Sequence, residues 1–208
     1  MLKPLLFWAG ASATPFVTDP RAWERLAAPA VIVSDNDATA ALWSTVGEAQ
    51  LFGTIEERTG IGWHTEAGEE HPALRLVVST EEVATAYATF AADEGDIAMR
   101  LRAWMRDVPE SQTFGTRPVA HGVIGVPESS VAVKSGWFGL ERAHAVTLVA
   151  AGDRTVGAVV MTARPADATS RAAAQTPAED DLVALHDTFA GPSIRAGTER
   201  GLRLALAL

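Results

Sequence analysis

Ser129-Ser130-Val131-Ala132-Val133-Lys134-Ser135-Gly136-Trp137-Phe138 is the stretch that decides the fold. Val131, Val133 and Trp137 recur at every second position, the period of a strand with one buried face. Ala143–Ala151 and Arg154–Ala163 have the same character, and Gly152-Asp153 between them forms a two-residue hairpin turn. Three antiparallel strands are therefore expected in the last third of the chain.

Upstream of them the period becomes helical. Asp19-Pro20 supplies a cap and a first-turn proline for a helix through Ala22, Trp23, Leu26 and Ala27, which Pro29 is expected to stop. Val31-Ile32-Val33 then reads as a short strand-like run. A second helix starts around Ser34–Asp37, carries Ala38, Ala41, Leu42 and Val46, and ends at Gly47. A short helix follows around Leu51–Arg58. Gly60 to Pro72 holds Trp63, two histidines and three glutamates without period and reads as a long loop. Ser79 and Glu82 form a capping box ahead of Val83, Tyr87 and Phe90, and Ile97, Leu101, Trp104 and Met105 repeat the spacing before Pro109. After the strands, Thr176, Pro177 and Glu179 open a last helix through Leu182, Leu185 and Phe189, with Gly191 as its cap. Helices, then antiparallel strands, then a covering helix make an α+β fold. The helical part runs to about residue 115, the sheet and final helix over about 116–190. Residues 191–208 form a tail with leucines at period two.

The composition bounds the function. With 208 residues, 48% apolar and 21% charged, the chain has the make-up of one globular domain. A net charge of −9 argues against a nucleic-acid partner, which needs clustered Lys and Arg. There is no cysteine, hence no disulfide, thiolate nucleophile or cysteine zinc site. The histidines show no metal spacing, and no cofactor is expected. No run of 18 apolar residues exists to form a transmembrane segment. The start, Met1 to Ala13, has one lysine, a short apolar stretch and a signal-peptidase-like Ala11-Ser12-Ala13, yet falls short of the about 15 residues a signal peptide needs. Its rival reading is the first turns of a buried helix. Of 17 basic residues only Lys3 and Lys134 are lysines, the two cations able to deprotonate.

Two short motifs gain weight together. Ser34-Asp35-Asn36 stands at a helix start, and Lys134-Ser135-Gly136 lies within the first strand, 100 residues further on. Alone, the first is an ordinary helix cap and the second an ordinary strand. In order and spacing they resemble the penicillin-recognising serine hydrolases, the class A β-lactamases and DD-peptidases. That family uses Ser-x-x-Lys on a buried helix, Ser-Asp-Asn facing it, and Lys-Thr/Ser-Gly on a strand. The resemblance covers residues 1–190 as one catalytic domain and implies a β-lactamase/transpeptidase-like fold whose first helix and strands lie outside this chain.

The resemblance also implies roles. No Ser-x-x-Lys occurs in the sequence, but Met1-Leu2-Lys3 would complete one if a serine stood immediately before Met1. That serine would attack an amide carbonyl, with Lys3 as its candidate base. Ser34 would pass a proton to the leaving nitrogen, Asn36 would hold Lys3 and the substrate amide, and Asp35 would order the loop. Lys134 would supply positive potential and Ser135 would bind the substrate carboxylate. Gly136 would let ligand approach the strand, and the Trp137 N–H would form half of an oxyanion hole. The family's Glu-x-x-Leu-Asn loop is not matched. Of Glu66, Glu69 and Glu70, Glu70 has the nearest spacing for a deacylating base. The expected substrate is a β-lactam or a D-Ala-D-Ala-type peptide, handled by an exported monomer. The alternative is a catalytically inactive homologue that binds peptidoglycan-like ligands or a protein partner.

Overall fold

The computed structural model describes residues 1–67, 76–138, 142–163 and 179–207. The chain divides into two compact units, a helical one from Leu2 to Asp107 and a sheet unit of Met1 with Val108–Leu208.

The helical unit is built round α1 (Lys3–Gly10). Its sequence, Lys-Pro-Leu-Leu-Phe-Trp-Ala-Gly, has apolar residues on every side, so it belongs in an interior and not at a surface. Leu5, Leu6, Phe7, Trp8 and Ala9 are all buried. Around it stand α3 (Pro20–Ile32), α4 (Asn36–Val46), α5 (Glu48–Thr59), α6 (Thr80–Ala92) and α7 (Asp96–Arg106), with the one-turn α2 (Thr14–Thr18) leading into α3. At Gly10 a Cβ would lie 2.7 Å from Leu42 Cδ1 on α4, so glycine sets how closely α1 and α4 pack. The Ser79 capping box of α6 is present in both directions: Ser79 N–H donates to the Glu82 carboxylate at 2.6 Å, and Glu82 N–H to Ser79 Oγ at 3.2 Å.

Expectations for this unit fail at two places, the end of α3 and the loop from Gly60. Pro29 does not stop α3, which continues to Ile32. The strand-like Val31-Ile32-Val33 is its last turn and exit. Proline forfeits one helical hydrogen bond, but Ala30 and Val31 are fully buried in that turn, and tertiary packing outweighs the local cost. The Pro29 carbonyl then closes the helix, accepting from Val33 N–H at 3.1 Å and Asp35 N–H at 3.2 Å. Within the expected loop from Gly60, His64–Thr65 (β1) pairs antiparallel with Leu76–Val77 (β2).

The sheet unit holds the three strands in the expected order, β3 (Ala132–Phe138), β4 (Arg142–Ala151) and β5 (Arg154–Ala163), all antiparallel. Lys134 is paired with Val146, Ser135 with Ala145 and Gly136 with His144, and Gly152 takes the positive φ of the β4–β5 turn. Ahead of β3 lies α8 (Thr116–Ile124), a helix the sequence pattern did not announce; its buried Ala120 shares a core cluster with Val133, Val149, Val156 and Ala158.

The C-terminus brings the main correction. The helix starting at Thr176-Pro177 lies at its start outside the described residues, and what is described is α9 (Glu179–Phe189). Gly191 does not end the helical region; it begins α10 (Gly191–Ala207), and this expected tail is the helix that covers β5. The leucines at period two misled because the same positions also carry a helical stripe. Ile194, Thr198 and Leu202, four apart, are each 0% exposed, whereas Leu204 is 62% exposed. Gly197 and Gly201 permit the approach: a Cβ on either would come within 2.9 Å of Val160 or Ala158 on β5. Leu202→Ala should therefore cost about 2–5 kcal/mol in a urea-unfolding measurement, and Leu204→Ala less than about 0.5 kcal/mol. Equal effects would contradict the helical register.

Candidate active site

The helical unit brings together four of the residues singled out in the sequence. Lys3 opens α1, with Pro4 behind it in a first-turn position that needs no N–H. Thirty-one residues later the chain leaves α3 and turns sharply at Ser34, whose φ is +63°. A non-glycine residue in this left-handed region costs roughly 1 kcal/mol and is a feature of functional sites. The turn delivers the Ser34 and Asp35 carbonyls to the Lys3 ammonium, which donates to both, to Asp35 O at 3.0 Å. It also donates to Asn36 Oδ1 at 2.8 Å. Three acceptors in one cradle match the three N–H donors of an ammonium.

Asp35 keeps the cradle in place. Its side chain caps α4 by accepting from Ala38 N–H at 2.9 Å, and its carbonyl also accepts from Thr39 Oγ1 at 2.9 Å. Ser34 meets Lys3 through its backbone oxygen, which no sequence motif could reveal.

In the sheet unit, Lys134 and Ser135 are buried on opposite faces of β3. Lys134, fully buried, shares its face with Ala132 and Gly136. Ser135 shares its face with Val133 and Trp137, and its Oγ has no hydrogen-bond partner among the described residues. The outer edge of β3 is marked by the Met1 nitrogen, which donates to Ser135 O at 3.0 Å. In an extended strand a residue's N–H and C=O point the same way and alternate along the chain. Trp137, two residues on, therefore turns its N–H to that same edge and away from β4. Gly136 lies hard against the Met1 backbone, where a Cβ would stand 2.2 Å from the Met1 nitrogen. The Trp137 ring rests against Phe114 and His186, at centroid distances of 6.3 and 6.2 Å. Phe114 has φ +53° and is followed by Gly115 at +69°, a second strained turn.

Opposite Gly136 sits His144, whose Nδ1 accepts from Thr162 N–H at 3.3 Å. Burial, with the nearby positive charge of Arg142, pulls its pKa down to about 4. The native chain thus takes up this proton later than the unfolded chain, whose histidine titrates near 6.5. Stability from His144 is present above pH about 6.5 and is lost as pH falls towards about 4. Discounted for the ring's partial exposure, the loss is about 2 kcal/mol. His144→Gln should flatten the difference between urea midpoints measured at the two ends of that window, and an unchanged slope would refute the assignment.

Glu70 lies outside the described residues. Sequence reasoning also missed Trp8 and Asp93, joined across 85 positions by a 2.7 Å hydrogen bond, a distance at which no local pattern operates. Among the described residues no helix is long and apolar enough to cross a membrane.

A helical unit round a buried lysine-bearing helix, with an antiparallel sheet backed by a C-terminal helix, is the β-lactamase-like α+β fold. Solved structures agree. A β-lactamase from Xanthomonas campestris pv. campestris is 18% identical, with TM-score 0.51, over 79% of this chain and 63% of its own. An ancestral class A β-lactamase is 19% identical, TM-score 0.53, over 78% and 64%. A β-lactamase from Burkholderia phymatum is 21% identical, TM-score 0.52, over 81% and 63%. The chain thus spans under two thirds of the length of these relatives. No curated protein sequence matches it significantly. The profile of the Beta-lactamase enzyme family matches residues 10–182, and the chain belongs to that family.

Proposed function

We propose that the protein is a serine hydrolase that opens a β-lactam or a D-Ala-D-Ala-type amide through an acyl-enzyme, working outside the cytoplasm. The observation that carries this reading is the Lys3 amine held by the Ser34 and Asp35 carbonyls and Asn36 Oδ1. Held at the start of a buried helix, Lys3 acts as a base once it has given up one of its three protons, the freed lone pair then facing a nucleophile one turn before it. In this reading the nucleophile is a serine immediately preceding Met1, completing Ser-Met-Leu-Lys. Its hydroxyl attacks the carbonyl carbon as its proton passes to Lys3, the carbon–nitrogen bond breaks, and Ser34 Oγ gives its proton to the leaving nitrogen and takes the one held by Lys3. The resulting ester is then hydrolysed by water. Asn36 orients the substrate amide, Lys134 and Ser135 recognise its carboxylate, and the outward Trp137 N–H receives the oxyanion. Glu70 is the proposed base for deacylation.

The test is acylation of the full-length protein by a fluorescent penicillin. Covalent label on the serine before Met1 is the expected result. A folded full-length protein that stays unlabelled, or a residue other than serine at that position, overturns the reading in favour of a homologue that binds without turnover.

A further inference from the structure

α1 has almost no polar surface with which to fix its own position. Leu5, Leu6, Phe7 and Ala9 pack without direction, and a smooth apolar helix can slide or rotate at little cost. Two indoles prevent this. Trp23 Nε1–H, from α3, donates to the Phe7 carbonyl at 3.0 Å. Trp8 Nε1–H, from α1 itself, donates to Asp93 Oδ2 at 2.7 Å.

The second contact is built on all sides. The Arg58 guanidinium lies over the Trp8 ring, 4.6 Å from its centroid, and Phe90 meets the ring edge-on at 5.6 Å. Asp93 Oδ1 accepts from Gly95 N–H at 2.8 Å, so both carboxylate oxygens are engaged. Arg102 Nη1 donates to the carbonyls of Asp93 and Phe90, at 2.8 and 2.6 Å, tying the end of α6 to α7. The Gly95 N–H, followed by Trp8, Arg58 and Arg102, holds the Asp93 carboxyl below its ordinary range and thus charged as an acceptor.

Lys3 is five residues from Trp8 on the same rigid helix. A screw displacement of α1 that broke the Trp8–Asp93 bond would carry the Lys3 amine off its three acceptors. We infer that Asp93 is a positioning residue for Lys3, acting through the Trp8 indole N–H to set the depth and rotation of α1. This rests on the reading of Lys3 as the amine of the reactive site.

Lys3 and Lys134 are the lysines of residues 1–208, and in lysine-selective 15N NMR of the full-length protein their ammonium signals are identified by their loss in Lys3→Arg and Lys134→Arg. A hydrogen-bonded Lys3 gives a persistent ammonium signal. Trp8→Phe, which keeps the ring and removes the N–H, and Asp93→Ala should each shift or erase the Lys3 signal and leave that of Lys134 in place. Asp93→Asn, which retains an acceptor oxygen, should restore it. An unchanged Lys3 signal in folded Trp8→Phe overturns the inference, as does equal movement of both lysines, which marks general loosening. Should the unaltered protein lack a persistent Lys3 signal, the failure lies in the reading of Lys3 itself.

Discussion

Replacing Lys3 by methionine in the full-length protein is expected to slow acylation by a fluorescent penicillin about 10²–10⁴-fold, the range for loss of a positioned proton acceptor. Methionine keeps the length and apolar stem of lysine, so packing at the first turn of α1 is retained. What disappears is the amine that meets Ser34 O, Asp35 O and Asn36 Oδ1. Three acceptors are then left facing a thioether, and part of the loss will be structural, because unpaired partly buried carbonyls cost about 1–3 kcal/mol in all. Asn36→Ala separates the two contributions. It removes one acceptor and leaves the amine, and should slow labelling far less than Lys3→Met. Equal rates for Lys3→Met and the unaltered protein would remove Lys3 from the chemistry.

Gly136→Ala is expected to destabilise the sheet unit through a main-chain clash. The added methyl would stand 2.2 Å from the Met1 nitrogen and 3.3 Å from its Cα, both main-chain atoms that cannot rotate away. Either the Met1 segment leaves β3, breaking the 3.0 Å hydrogen bond to Ser135 O, or the strand bends. Overpacking of this kind costs about 1–3 kcal/mol, and more where backbone must move. Gly122→Ala is the control. It lies inside α8 with nothing within 4 Å of its added Cβ, and should stabilise by up to about 1 kcal/mol. Thermal unfolding followed by circular dichroism reads both. A Gly136→Ala protein as stable as its parent would mean that Met1 does not pack against β3 in solution.

Much of the fold was legible because the decisive segments announce themselves locally. The period-two runs and Gly152-Asp153 located β3 to β5, as the Ser79–Glu82 pair located α6. The failures share a cause in tertiary context. Pro29 is tolerated inside α3 because Ala30 and Val31 are buried beyond it, which the sequence cannot weigh. The leucines from 202 onward fit a strand as well as a helix, and only contact between Gly197, Gly201 and β5 decides for the helix. For the candidate site, the sequence singled out Lys3 and Asn36, which meet in the helical unit, and Lys134 and Ser135, which are neighbours on β3. It could not disclose that main-chain oxygens cradle the amine, since a carbonyl belongs to every residue and is aimed only by the φ of +63° at Ser34. The Trp8–Asp93 link was invisible for a related reason: ordinary residues acquire meaning only when folding brings them together.

The burial of Lys134 has a practical corollary. A lysine-specific endoprotease has two candidate bonds in this chain, and the one after Lys3 is blocked by Pro4. The other, Lys134–Ser135, is sealed in the centre of a strand with both residues at most 1% exposed. Cleavage there requires β3 to leave the sheet, so in the limit where reclosing outruns cutting, digestion reports the opening equilibrium of that one strand. The chain carries its own gauge of local unfolding, at the lysine proposed to meet the substrate.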